Sequence, residues 1–260
     1  MKYDTIDVQK TKNITTVYLN RPDIHNAMNE KLMKELTNCF KELYNDNNTR
    51  IVILTGNGKS FCAGADLNWM KSMMKYSKGE NIKDSSLLLN LYETIYNCPK
   101  PVIGRINGST FGGGIGLLAV CDIVIAVENC KFAFSEVKLG IIPAVISTYV
   151  IRRIGISNTR RLFITGERFD SNYAKEIGLV DHVVPENELN TIINQYTELL
   201  CFSGPNAVTE VKKLINVYQK FDLEKYKEFA VKKIAELRIS EEGQEGMTAF
   251  LEKRKTKWSE

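Results

Sequence analysis

Apolar residues recur along the chain with two different periods, and the alternation between them predicts an α/β fold. Residues 15–19 (TTVYL), 51–55 (IVILT), 101–106 (PVIGRI) and 122–127 (DIVIAV) are short runs rich in β-branched side chains, and each reads as a strand. Residues 28–43 instead carry Leu32, Leu36, Phe40 and Leu43 at helical spacing, after a Pro/Asn turn at 20–27 (NRPDIHNA). The segment 66–98 is helical in parts, with a polar interruption near 77–84, and 112–120 reads as a short apolar helix. From about residue 145 the pattern is mostly helical, and 207–217, 223–238 and 241–257 combine a 3.6-residue period with dense charge. Ser240 followed by Glu241 and Glu242 makes a helix start, with Lys253, Arg254 and Lys255 near the negative end of the dipole. The chain is thus read as an α/β core over 1–200 with a helical region over 201–260.

Composition narrows the chemistry. With 43% hydrophobic and 25% charged residues, the chain has the make-up of an ordinary globular protein. A net charge of +4 is dispersed through mixed Lys/Glu segments, which argues against nucleic acid as a partner and is compatible with an anionic small ligand. No run approaches the roughly 18 apolar residues of a membrane span, and the first ten residues carry no targeting signal, so the expected location is the cytoplasm. The cysteines (Cys39, Cys62, Cys98, Cys121, Cys130 and Cys201) contain no C-x-x-C pair and read as small buried hydrophobes. Only His25 and His182 are available to a metal site or a nucleophile relay. His182 lies beside an apolar run and reads as packed, while His25 sits in the 20–27 turn as a loop residue.

Two glycine-rich steps remain. Residues 60–67 (SFCAGADL) follow the IVILT strand and lead into a helix, with Asp66 placed to cap it. Residues 108–116 (GSTFGGGIG) follow the PVIGRI strand and open a second helix. Small residues let a ligand approach the backbone, and a helix start offers unpaired N–H donors, so two such groups aimed at one oxygen would form an oxyanion hole. Neither step fits G-x-G-x-x-G or the P-loop pattern. Triple glycine also fits close helix–sheet packing alone, and the residues by themselves leave both readings open.

Taken together, FCAGADL, PVIGRINGSTFGGGIGLLAVCD and KFAFSEVKLGIIP, in that order, resemble the enoyl-CoA hydratase/isomerase (crotonase) family. NRPDIHNAM, GLVDHVVP and EGMTAFLEKRKTKW extend the likeness over essentially the whole chain. The resemblance implies a crotonase-like spiral of ββα repeats with a C-terminal helical region that assembles trimers, often as two stacked trimers. It implies an acyl-CoA substrate, with coenzyme A as part of that substrate and no separate cofactor or metal. By position in the motifs, Ala65 and Gly113 would donate backbone N–H groups to the thioester oxygen. Ala63, Gly64, Asp66, Leu67, Asn68 and Gly112 would line the path of the CoA chain. The loop residues Asp23, Ile24 and His25 would reach the CoA end, with Phe250 and Lys253 near its phosphate.

Glu136, in SEVKLGIIP, matches the family's acid/base glutamate, enclosed on this reading by Phe132, Phe134 and Leu139 and so raised in pKa. The family's other glutamate follows the glycine run, where this chain has Gly116. A single carboxylate suits a hydratase of a different type, or an isomerase that shuttles one proton between carbons. GADLNWM, FGGGIGL and SEVKLGIIPAVISTYV are similar to bacterial methylglutaconyl-CoA hydratases of leucine breakdown and their carboxygeranoyl-CoA relatives, which implies a carboxylated enoyl-CoA hydrated across its α,β double bond. A non-catalytic CoA-binding protein is the third reading, which Ala65, Gly113 and Glu136 disfavour.

Overall fold

The structure is a computed structural model that describes residues 3–218 and 220–259. It separates into two compact units, one made of the chain up to Cys98 with Val102–Ile193, the other of Pro99–Pro101 with the residues from Asn194 onward.

The first unit is built on two sheets. Six strands lie in the order β1 (Ile6–Thr11), β2 (Ile14–Leu19), β3 (Ile51–Gly56), β5 (Val102–Ile106), β7 (Ile123–Val127) and β10 (His182–Val184). Four shorter strands form the second sheet, in the order β4 (Ser60–Cys62), β6 (Ser109–Phe111), β8 (Lys131–Ala133) and β9 (Arg168–Asp170). The β1–β2 and β8–β9 pairs are antiparallel and the rest are parallel. Three times in succession the chain lays one strand in each sheet and then turns into a helix. These passages are β3–β4 into α2 (Leu67–Met73), β5–β6 into α4 (Gly113–Ala119) and β7–β8 toward α5 (Ala144–Thr165). That repetition is the ββα spiral.

Burial explains the sequence pattern. Every position of β3 is buried, as suits a central parallel strand covered on both faces. Helix α1 (Glu30–Asn45) is capped by the Asn29 side chain, which accepts from Leu32 N–H, and it buries Leu32, Met33, Leu36, Cys39, Phe40 and Leu43. The polar stretch at 77–84 is helical rather than an interruption. Ser77 caps α3 (Lys78–Tyr96) through a reciprocal box with Glu80, and the break falls just before it. Strands β9 and β10, and the short helix α6 (Ser171–Glu176) between them, lie in the stretch read from sequence as mostly helical. Five of the cysteines are buried thiols, and Cys201 is half-buried.

The second unit takes in the end of α7 (Leu189–Phe202), then α8 (Pro205–Tyr218), α9 (Leu223–Ile239) and α10 (Glu241–Leu251). Ser240 caps α10 as expected, accepting from Gly243 N–H. The helix ends at Leu251, not near 257, because Lys253 adopts a left-handed φ of 55°. Beyond it, Arg254 reaches back to both carboxylate oxygens of Glu245, at 2.7 and 3.0 Å, so this cation serves an ion pair rather than the helix dipole.

Candidate active site

Each of the two glycine-rich steps ends at a helix start, and each leaves one peptide N–H open. Asp66 caps α2 by accepting from Asn68 and Trp69 N–H. Its own N–H donates to Met28 O at 2.8 Å, and Met28 N–H donates to Gly64 O at 2.7 Å. Those bonds make a parallel bridge between Met28 and Ala65 that leaves the Ala65 N–H without a backbone partner among the described residues. At the second step Gly112 takes φ +50°, ψ −124° and no side chain caps α4, so the Gly113 N–H is likewise unclaimed. Within 62–66 and 112–119, Ala63, Ala65 and Gly113 keep surface exposure while their neighbours are buried.

The two steps are in contact. A Cβ on Gly64 would stand 3.1 Å from Phe111 O, and one on Gly114 would stand 2.8 Å from Cys62 O, so these glycines permit a backbone approach no larger residue allows. Met28, whose backbone bridges to Ala65, brings its terminal methyl against Gly113. Burial pushes the Cys62 thiol up to about 12, as suits a cysteine packed into the core.

Glu136 lies in a short 3-10 turn (Ser135–Leu139) just after β8. Its Oε1 is 3.3 Å from where a Cβ on Gly112 would sit. Its Oε2 is sealed from solvent with no hydrogen-bond partner among the described residues. Burial raises its pKa above the ordinary carboxylate value, as the motif implied. The enclosure differs from the expected one, however. Phe132 and Phe134 are fully buried, but Leu139 is 58% exposed.

Position 116 has an unexpected occupant. A Cβ there would fall 2.5 Å from Ile146 Cγ2 and 2.6 and 2.7 Å from Tyr92 Cζ and Oη. The space a glutamate would need is filled by a phenol from α3 and an isoleucine from α5. Sequence reading missed both residues, and their only signal there is an aromatic and an aliphatic at buried helical positions.

The loop holding Asp23, Ile24 and His25 runs alongside the first step, since Ala63 N–H donates to His25 O at 2.9 Å. All three residues are exposed, as are Leu67 and Asn68. The loop is braced by Asn26, which is fully buried and bonds Arg21 N, Asn57 O and Ser60 O, and by a His25 Nδ1–Ser60 Oγ contact of 3.1 Å. Phe250 and Lys253 lie in the second unit, on α10 and two residues past its end, and both are exposed. His182 is half-buried in β10. Among the described residues no three His, Cys, Asp or Glu side chains gather as a metal site.

Arg21 was also missed, although it stands in the NRPD turn. Its guanidinium pairs with Asp66 at 2.7 Å, where the two side chains are only 17% and 8% exposed. It also donates to Ala27 O at 2.5 Å. Burial alone would raise the Asp66 pKa, but Arg21 and the two capping N–H groups together hold it below the usual range. Such a depressed carboxylate stabilises the fold above the unfolded value near 4 and loses that contribution as pH falls through the folded value. Arg21→Met should cost on the order of 3 kcal/mol by leaving a buried charge unpaired. Urea denaturation at pH 7 checks this, and a midpoint equal to the parent's would show the pair to be idle.

The family model for enoyl-CoA hydratase/isomerase matches residues 9–260. The short-chain-enoyl-CoA hydratase of Clostridium acetobutylicum is 34% identical over 257 residues, covering 98% of this chain and 97% of its own. Among solved structures, an enoyl-CoA hydratase from Shewanella pealeana superposes with a TM-score of 0.95 at 35% identity, over 99% of this chain and 97% of the other. Pseudomonas aeruginosa AtuE gives 0.96 at 31% identity, over 99% of this chain and 100% of its own. Among the described residues no helix is long and apolar enough to cross a membrane. With its spiral of ββα repeats, its two open helix starts and matches that run nearly end to end, the chain belongs to the enoyl-CoA hydratase/isomerase family of enzymes.

Proposed function

We propose that the protein adds water across the α,β double bond of a short, branched and carboxylated enoyl-CoA, 3-methylglutaconyl-CoA being the best candidate, with Glu136 as its acid/base. The observation that carries this reading is the Glu136 carboxyl, held against Gly112 with one oxygen sealed and unpartnered among the described residues, next to the open Gly113 N–H. On this reading the thioester oxygen lies between the N–H groups of Ala65 and Gly113. Water oxygen bonds to Cβ, its proton passes to Glu136, and the electron pair of the double bond moves onto the thioester oxygen as an enolate. The enolate then collapses and takes a proton at Cα from Glu136, so that one water has been added. Each donor aimed at the developing charge is worth on the order of 3 kcal/mol of barrier.

With Gly116 hydrogen-only and its space filled, no second carboxylate comes from position 116. We assign its role in holding water to the substrate's own carboxylate or to backbone groups. The acyl-CoA would be bound by the Asp23, Ile24 and His25 loop and the 63–68 segment. Exposed apolar residues of the second unit, such as Phe202, Ile215, Ile239 and Leu251, support self-association as a trimer or a pair of trimers.

The lone carboxylate also favours a second reading, isomerisation of a 3-enoyl-CoA by the same Glu136. Incubation with 2-enoyl- and 3-enoyl-CoA substrates in heavy-oxygen water separates the two. Hydration places the label in the acyl product, and turnover without label would establish the isomerase and sink the hydratase. A carboxylated substrate should exceed crotonyl-CoA in kcat/KM by at least about tenfold, as an interaction of a charged group in the transition state would give.

A further inference from the structure

We infer that Tyr92 is a positioning residue for the Gly113 N–H, its hydroxyl fixing the glycine turn from which that donor projects. This rests on the reading of Ala65 and Gly113 as the donors to the thioester oxygen.

Just before α4 the backbone is anchored to β8 by Gly112 N–H, which donates to Ala133 O at 3.0 Å. Three consecutive glycines carry the greatest backbone freedom of any residue, and no side chain caps the helix. A donor on such a glycine turn gains from a further brace at Gly113 itself, because an oxyanion hole works only when its dipoles are fixed beforehand. Tyr92 supplies one. It is fully buried on α3, and its hydroxyl donates to Gly113 O at 2.7 Å. The same Oη lies 3.1 Å from the Cβ point of Gly113 and 2.7 Å from that of Gly116, so the phenol is threaded along the first turn of α4. Only hydrogen at position 116 allows it in.

The ring is held in turn. Tyr149 of α5 meets it edge-on with centroids 6.0 Å apart, and Tyr96 packs on Tyr149 at 5.3 Å. Ile146, one turn before Tyr149, closes the other side at Gly116. Burial, with smaller contributions from Cys62, Glu136 and Tyr149, lifts the phenol well above its ordinary pKa. Tyr92 therefore stays protonated, and able to donate, near neutral pH. One residue earlier, Glu136 Oε1 approaches Gly112. The glycine turn thus touches both the proposed base and the phenol, and the missing glutamate's space serves the donor instead of a second proton carrier.

Tyr92→Phe keeps the ring and deletes the bond. Turnover should fall about tenfold, less than the 10²–10³-fold that follows outright loss of a donor, with KM unchanged. The distinguishing readout is the absorption band of a bound aryl-conjugated enoyl-CoA, which moves to the red when its thioester oxygen is polarised. The parent should show the full shift and Tyr92→Phe a smaller one at saturation. Should Tyr92→Phe fold poorly, 3,5-difluorotyrosine placed at 92 provides a stronger donor of nearly the same shape and should shift the band at least as far as the parent. A parent-like kcat and band in Tyr92→Phe, or a reduced shift with the fluorinated residue, overturns the inference. No shift in the parent itself, with the probe bound, would instead overturn the reading of Ala65 and Gly113.

Discussion

Glu136→Gln is expected to lower turnover by about 10²–10⁴-fold, the usual contribution of a positioned acid/base, while leaving the protein at least as stable as its parent near neutral pH. The two halves of that expectation share one cause. The carboxyl is buried with an oxygen that finds no partner among the described residues, so burial favours the protonated form and raises the pKa. The folded protein then binds this proton more tightly than the unfolded chain does. Stability contributed by the group is greatest below the unfolded value of 4.5, declines as pH rises toward the raised folded value, and is flat beyond it. Glutamine carries no charge to bury, so the variant escapes that decline. Parent activity should also fall on the acid side as the base becomes protonated, and the variant's residual activity should lack that limb. Full hydration of 3-methylglutaconyl-CoA by Glu136→Gln would eliminate the single-base mechanism. A large drop in its melting temperature at pH 7 would show that the carboxylate has a structural partner after all.

Restoring the family glutamate should do the opposite of restoring a second catalytic group. In Gly116→Glu the first side-chain carbon already falls within 2.7 Å of Ile146 and of two atoms of Tyr92. Neighbours on two packed helices must move, and a carboxylate must be buried where no cation stands among the contacts named. Overpacking alone costs roughly 1–3 kcal/mol and an uncompensated buried polar group several more, so most of the variant should be unfolded or aggregated. Tyr92→Ala in the same chain should recover part of the loss, because the two positions share one space and their effects cannot add. Equilibrium denaturation of Gly116→Glu, Tyr92→Ala and the double variant measures this directly. A stable Gly116→Glu protein with undiminished hydratase activity would show that α3 yields easily and that the phenol is incidental.

What could be read in the sequence was whatever depended on neighbours along the chain. The apolar period of 28–43, the β-branched run at 51–55 and the caps Asp66 and Ser240 are local, and each appears in the structure within a residue or two. The glycine steps were legible because helix starts and small residues leave a local signature. The groups that brace those steps were not. Arg21 meets Asp66 across 45 residues of chain, Tyr92 meets Gly113 across 21, and Ile146 reaches Gly116 from another helix. Nothing in an isolated NRPD or NLYETIY segment says which distant atom its polar end will find. Strands β9 and β10 are three residues long, too short for any period to show. Leu139, apolar and adjacent to the motif glutamate, was expected inside and lies mostly outside, because it sits at the end of a tight turn whose next residue, Gly140, takes a left-handed φ of 74°.

The irregular pairing of β4 with β6 turns out to be a matter of gauge. Ser60 pairs with Ser109, but Cys62 pairs with Thr110, so β4 spends one more residue than its neighbour over the same length. Counted from the Cys62–Thr110 rung, Ala65 and Gly113 each stand three residues on, whereas an unbroken register would have left them out of step. Adjacent strands lie about 4.8 Å apart, close to the separation of two N–H groups that point at a common oxygen. The second sheet can thus be seen as a ruler that spaces the two proposed donors, with the bulge as its zero adjustment. Inserting or deleting a residue in β4 would leave both glycine steps chemically intact and yet aim them at different points.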